Sequence, residues 1–219
     1  MKFLDRHSFK LPPWAVWSME QWQAAGPECD AIRDCALGWD LTDFGSGDFA
    51  KVGLLLFTIR NGKWQSAKYP KPYAEKIMIV QTNQVTPIHF HWKKTEDIIN
   101  RGGGRLKIQV WQATSDEKLS DRDFTVQRDG IACPVHSGQI LTLEPGMSIT
   151  MEPYMYHTFF AEDATALVGE VSTLNDDHGD NRFHVPAGRF PAIDEDAPMR
   201  YPLCTEYPAF TGKNAGARS

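Results

Sequence analysis

The chain has 219 residues, 42% of them hydrophobic, and a formal net charge of −5. That length suits one domain with a core large enough to dispense with disulfides. The acidic balance, with no long basic run, excludes nucleic-acid binding as the main function, and no segment approaches the roughly 20 apolar residues of a membrane span.

At the N-terminus, MKFLDRHSFK places charges where a signal peptide needs an apolar run, so the cytoplasm is the expected compartment. Pro12 and Pro13 break any earlier helix. Ser18 is suited to cap a short helix, with Gln21 at the capping-box position and Trp17 and Trp22 placed as a hydrophobic staple. Gly26-Pro27 ends it, and a second helix is expected from about Glu28 to Leu37, stopped by Gly38. The aromatic surface of Trp14, Trp17 and Trp22 is more than two short helices can bury alone, so it should pack on the rest of the chain or on a partner subunit. Cys29, Cys35, Cys133 and Cys204 form no CxxC pair and read as free thiols.

From Val52 the pattern turns strand-like. VGLLLFTIR, KIMIVQ, TPIHFHW, RLKIQVWQA, FTVQR, IACPVH, QILTL, SITM, HTFFAE and ALVGEVS follow one another, separated by turn signals such as Asn61-Gly62, Asp129-Gly130 and Pro145-Gly146. Many short strands without intervening helices predict an all-β barrel or jelly roll. From Leu174 onward the chain is polar and weakly periodic, and should wrap the barrel or cross to a partner. The expected organisation is a single domain: a helical extension over 1–50, a barrel over 51–173 and a wrapping tail over 174–219.

The motif that carries chemistry is HFHWKKTE, His89 to Glu96, followed by Gly102 to Gly104. His89 and His91, two residues apart on a strand, share a face. Glu96 can turn toward them, and His157 offers a fourth ligand from a later strand. Three imidazoles and one carboxylate leave two adjacent positions open on an octahedral ion, and suit Mn²⁺, Fe²⁺, Co²⁺, Ni²⁺ or Zn²⁺ alike. His7 lies in an N-terminus expected to fray. His136, His178 and His184 read as surface or structural residues.

This ligand pattern resembles the cupin superfamily, with Pro145-Gly146 near the proline-glycine turn that precedes the last histidine; its distance to Tyr156 exceeds the usual spacing. Three longer segments resemble the D-lyxose isomerase family of cupin sugar isomerases: GWDLTDFGSGDFAKVGL, YPKPYAEKIMIVQTNQVTPIHFHWKKTEDIINRGGGRLKIQVW and LVGEVSTLNDDHGDNRF. The resemblance implies aldose–ketose isomerisation, chiefly of D-lyxose to D-xylulose and often of D-mannose to D-fructose, on a Mn²⁺-preferring site in a homodimer.

Such a reaction needs a proton shuttle between C1 and C2 of an open-chain sugar. Glu170, a charge in the otherwise apolar ALVGEVS, is the candidate base. Lys94, on the loop between His91 and Glu96, is the candidate for stabilising oxyanion charge. Lys76, Asp177 and Arg189 are candidates for sugar hydroxyls. A cupin oxygenase or sugar epimerase using the same ligands, or a sugar-binding cupin without catalysis, remains the alternative. Pure binding has no need of a shuttle.

Overall fold

The structure is a computed structural model that describes residues 1–190 and 197–208. Among these residues thirteen strands form two antiparallel sheets. The strands are β1 (Gly38–Thr42), β2 (Leu54–Arg60), β3 (Tyr73–Val80), β4 (His89–Phe90), β5 (Glu96–Gly103), β6 (Leu106–Gln112) and β7 (Phe124–Arg128). They continue with β8 (Ile131–Val135), β9 (Gln139–Leu143), β10 (Ser148–Met151), β11 (Met155–Ala161), β12 (Ala166–Thr173) and β13 (Arg182–Phe183). The larger sheet has the order β1-β2-β3-β12-β5-β10-β7-β8 and the smaller β13-β4-β11-β6-β9. Facing one another across a shared core, they make the cupin-type all-β barrel anticipated by the strand pattern.

The interior is apolar at one level and charged at the next. Leu56, Met78 and Val168 sit side by side on β2, β3 and β12. Two residues along the same strands, Thr58, Lys76 and Glu170 take the equivalent places, all buried. Strand alternation requires both rows to face the same side. The apolar row continues into the main core with Ile98, Leu106, Ile108, Leu143, Ile149 and Phe159.

Three strands escaped the sequence pattern. β5, EDIINRGG, has polar residues at the inward positions Glu96 and Asn100, so it reads as a loop. Asn100 is nevertheless satisfied: its amide donates to the carbonyls of Gly104 and Leu143 and accepts from the Gly102 N–H. Gly103 adopts φ +88°, and a side chain there would collide with the Thr165 carbonyl. β1 falls inside the stretch expected to be helical, because Gly38 starts a strand that hydrogen-bonds to β2. β13 has only two residues and joins β4.

The helices are shorter than expected. α1 spans Lys2–Arg6, α2 Met19–Ala24 and α3 Asp30–Asp34. Ser18 and Gln21 form the anticipated capping box on α2, and the Trp17 and Trp22 rings pack 5.1 Å apart. α3 stops before Leu37, where Ala36 takes φ 51°.

The N-terminus does not fray. Leu4 is 1% exposed and packs with Ala15 on Phe57, Ile77 and Leu167, the outer face of the larger sheet. His7 lies beside Gly102. Trp22 is fully buried against Trp14, Trp17 and Tyr207. Its own chain thus buries Trp22 and half-buries Trp14 and Trp17. The tail crosses the barrel through β13, a hydrogen bond from Thr42 Oγ1 to the Arg189 carbonyl, and pairing of Leu203 with Trp39.

Leu4→Ala should destabilise the protein by about 2–5 kcal/mol, since it empties a closed site. Urea unfolding of the variant measures this, and a frayed N-terminus would leave the midpoint unmoved.

Candidate active site

The three histidines are brought together by strand pairing. His157 in β11 lies opposite His89 of β4, and His91 follows directly after that strand. Between them Phe90 points the other way, onto Trp92, Tyr154 and Tyr156. One ring nitrogen from each of His89, His91 and His157 can be chosen so that all lie within 4.8 Å of one another.

The tautomers are set by the backbone. His89 Nδ1 bonds the Pro87 carbonyl at 2.8 Å, His157 Nδ1 the Met155 carbonyl at 3.0 Å, and His91 Nδ1 the Asp180 carbonyl at 2.5 Å. A carbonyl only accepts, so each Nδ1 carries the proton and each Nε2 presents a lone pair. Burial, then the neighbouring His157 and His91 rings, hold the His89 imidazolium well below its usual range. Burial, then the Lys94 charge, lower the His91 pKa from its usual value.

Glu96 approaches from the other sheet. Its Oε1 stands 3.2 Å from His157 Nε2 and 3.4 Å from His91 Nε2. These are lone-pair atoms facing one another, and His91 Nε2 is buried without a hydrogen-bond partner among the described residues. A cation at the common focus resolves this. Perpendicular bonds of about 2.1 Å place neighbouring donors about 3 Å apart, close to the two spacings from Glu96 to the His157 and His91 nitrogens. The donor set therefore fits a divalent ion.

The second carboxylate oxygen of Glu96 belongs to a charged chain. Lys94 Nζ is 2.5 Å from Glu96 Oε2 and 3.2 Å from Glu170 Oε1. Lys76 Nζ is 3.6 Å from Glu170 Oε1 and 3.5 Å from Asp177 Oδ1. Arg189 Nη2 reaches Asp177 at 3.5 Å and also pairs with Asp40. Burial opposes ionisation of Glu96, but Lys94 together with the His91 and His157 imidazoles outweighs it, and the carboxyl is held well below the usual range. Burial likewise opposes the Lys94 charge, and Glu170 and Glu96 outweigh it, raising the ammonium's pKa. For Asp177, Lys76 and Arg189 overcome burial and lower the pKa. Asp40, Glu96, Glu170 and Asp177 against Lys76, Lys94 and Arg189 make four carboxylates to three cations. The surplus negative charge again suits a bound cation.

All nine residues singled out in the sequence line one cavity of about 40 Å³, with Phe44, Thr86, Phe183 and Asn181 among its other walls. Glu170 faces the interior and is 4% exposed, which its neighbours in sequence left open. His136, His178 and His184 are exposed, as surface residues are. Sequence reasoning passed over Asp40, Ser172 and Asn175. Ser172 Oγ donates to Glu170 Oε1, and Asn175 accepts from Lys76 Nζ at 2.6 Å and donates to Asp177 Oδ2. Ser172 was foreseeable, being one inward step from Glu170. Asp40 and Asn175 were not, since only the folded tail brings them in.

Barrel, imidazoles and buried carboxylates define a cupin-type enzyme with a candidate metal centre between its sheets. A model of the D-lyxose isomerase family matches residues 1–207. The D-lyxose/D-mannose isomerase of Escherichia coli O157:H7 is 49% identical over 95% of this chain and 93% of its own. That of Serratia proteamaculans is 47% identical over 95% and 92%. The chain belongs to the D-lyxose isomerase family and is an aldose–ketose isomerase. Among solved structures, Cellulomonas parahominis L-ribose isomerase with L-psicose has a TM-score of 0.55 at 17% identity, over 86% of this chain and 90% of that one. Acinetobacter sp. DL28 L-ribose isomerase in complex with L-ribose gives 0.54 at 16%, over 84% and 87%. At such identity the likeness is one of fold.

Lys94→Met leaves two buried carboxylates without their shared cation. The metal-free variant should lose about 3–5 kcal/mol of stability in denaturant unfolding. An unchanged midpoint would mean that the ammonium is not buried between them.

Proposed function

We propose that the protein interconverts D-lyxose and D-xylulose, and also D-mannose and D-fructose, using Mn²⁺ held by His89, His91, Glu96 and His157. The observation that carries this reading is the convergence of those four side chains with Glu170 and Lys94 in one cavity. The relatives' substrates support the choice of sugar, and family resemblance supports manganese, a homodimer and a cytoplasmic setting. Among the described residues no helix is long and apolar enough to cross a membrane. The chain acts as one domain, the N-terminal extension and the tail completing the barrel.

When bound, the divalent ion polarises the sugar carbonyl and offsets the negative charge that develops on oxygen. Glu170 moves the proton. Its contacts with Lys94, Lys76 and Ser172 among the described residues all use Oε1. That anchors one oxygen and leaves Oε2 to take the proton from C2 and return it to C1, through a cis-enediol. Lys94 faces the same region and stabilises the oxyanion. Lys76, Asp177 and Arg189 take the more distant hydroxyls.

The cavity of about 40 Å³ has room for about three waters. Asp177, Asn181, Phe183 and Arg189 of the tail form part of its wall.

Chelated protein should be inactive, and Mn²⁺ should restore ketose formation from D-lyxose and D-mannose, without O₂, in a panel of aldoses followed by chromatography. Full activity in demonstrably metal-free protein, or no ketose from any aldose, would reject the reading.

Glu170→Gln should keep its metal yet lose about 10²–10⁴-fold in kcat. Wild-type turnover in D₂O should place deuterium at C1 of the ketose. Near-normal kcat in the variant moves the base elsewhere.

A further inference from the structure

The acidic turn between β12 and β13 contains a residue tied to the ligand loop at four points. Asp180 is 2% exposed. Its Oδ1 accepts the backbone N–H of Trp92 at 2.9 Å and of Lys93 at 3.0 Å, and its Oδ2 accepts that of Lys94 at 3.0 Å. Its own carbonyl accepts Nδ1–H of His91. The loop it holds lies outside the strands, since β4 ends at Phe90 and β5 begins at Glu96. Both residues that flank the held amides bear on the chemistry: His91 on one side, and Lys94, the last of the three, on the other.

The turn that carries Asp180 is itself braced. The Asp176 carboxylate accepts the N–H groups of His178 and Gly179, and the Asp176 carbonyl accepts that of Asp180. Asn181 donates to the Asp177 carbonyl. Asp180 thus transmits a fixed position rather than adapting to the loop.

The other two imidazoles need no such help. His89 and His157 bond carbonyls two residues earlier in their own segments, at Pro87 and Met155. His91 alone is oriented by a residue 89 positions away.

We propose that Asp180 is a positioning residue which fixes the His91–Lys94 loop before any ion binds, so that the His91 imidazole and the Lys94 ammonium are already in place. The proposal rests on the metal reading of the site. A carboxylate is the group the loop requires: three consecutive N–H donors converge on it, and both its oxygens only accept. Such charge-assisted bonds are about twice as strong as neutral ones. An Asn at this place turns one acceptor into a donor that faces another donor. Partners that orient a metal-binding histidine typically account for about 10–100-fold in affinity.

Two measurements test this. In calorimetric titration with Mn²⁺, folded Asp180→Asn protein should bind about 10–100-fold more weakly than the chelated wild type. In hydrogen exchange on metal-free wild type, the amides of Trp92, Lys93 and Lys94 should be as protected as those of β5. Unchanged Mn²⁺ affinity in the variant overturns the role of Asp180 alone. So do loop amides that exchange freely until Mn²⁺ is added, a result obtainable even if the variant does not fold. Wild-type protein that binds no divalent ion overturns the metal reading, and with it the purpose assigned to Asp180.

Discussion

The ammonium of Lys94, buried between the carboxylates of Glu96 and Glu170, is the interaction on which the rest of the interior depends. Two carboxylates side by side in a low dielectric repel strongly, and one of them would take up a proton. With the cation between them Glu96 stays ionised, as a metal ligand must. The same cation holds one oxygen of Glu170. Lys94 thus links the cluster of imidazoles and Glu96 to Glu170, the base of the proposed reaction. Removing it would disturb both, which makes loss of activity in a Lys94 variant an ambiguous result and its stability the more telling one.

The barrel places this charge at small distance from a conventional core. Along β3 and β12, a single inward step separates Met78 and Val168 from Lys76 and Glu170. Strand geometry is the same on both sides of that step; only the side chains change. The apolar rows exclude water below the site, and that exclusion strengthens every interaction above it. The charged row survives there because each member has opposite charges on its flanks, Glu170 between Lys94 and Lys76, and Asp177 between Lys76 and Arg189. Core and site are therefore one structure with a change of chemistry partway along its strands.

What was legible in the sequence follows from locality. His89, His91 and Glu96 lie within eight residues, and the alternation that puts two histidines on one face is a property of any strand. His157 was legible only beside that motif, since its aromatic neighbours by themselves suit a core histidine. β5 was not, because its inward Glu96 and Asn100 are polar, and the hydrophobic alternation that announces a strand fails where the interior itself is polar. The N-terminal tryptophans were read as needing cover from the barrel or a partner; their own sheet and Tyr207 supply part of it, burying Trp22 and half-burying Trp14 and Trp17. Asp40, Asn175 and Asp180 were beyond reach for another reason. Their partners Arg189, Lys76 and the ligand loop lie far along the chain, and no periodicity encodes such pairs.

The tail then has two duties that a sequence reads as one polar stretch. Through Asp180 it fixes the loop that carries His91 and Lys94, and through Asp177 and Arg189 it lines the cavity. The two duties rest on different kinds of hydrogen bond. Asp180 is bonded to three consecutive backbone amides at once, an arrangement that no single side-chain rotation can exchange. Asp177 and Arg189 are bonded to other side chains, which can exchange one partner for another. Under the proposed function, a sugar hydroxyl that displaced the Lys76–Asp177 or Asp177–Arg189 contact would meet groups already charged and already oriented. Its gain would be the difference between two good arrangements rather than the full strength of a new bond.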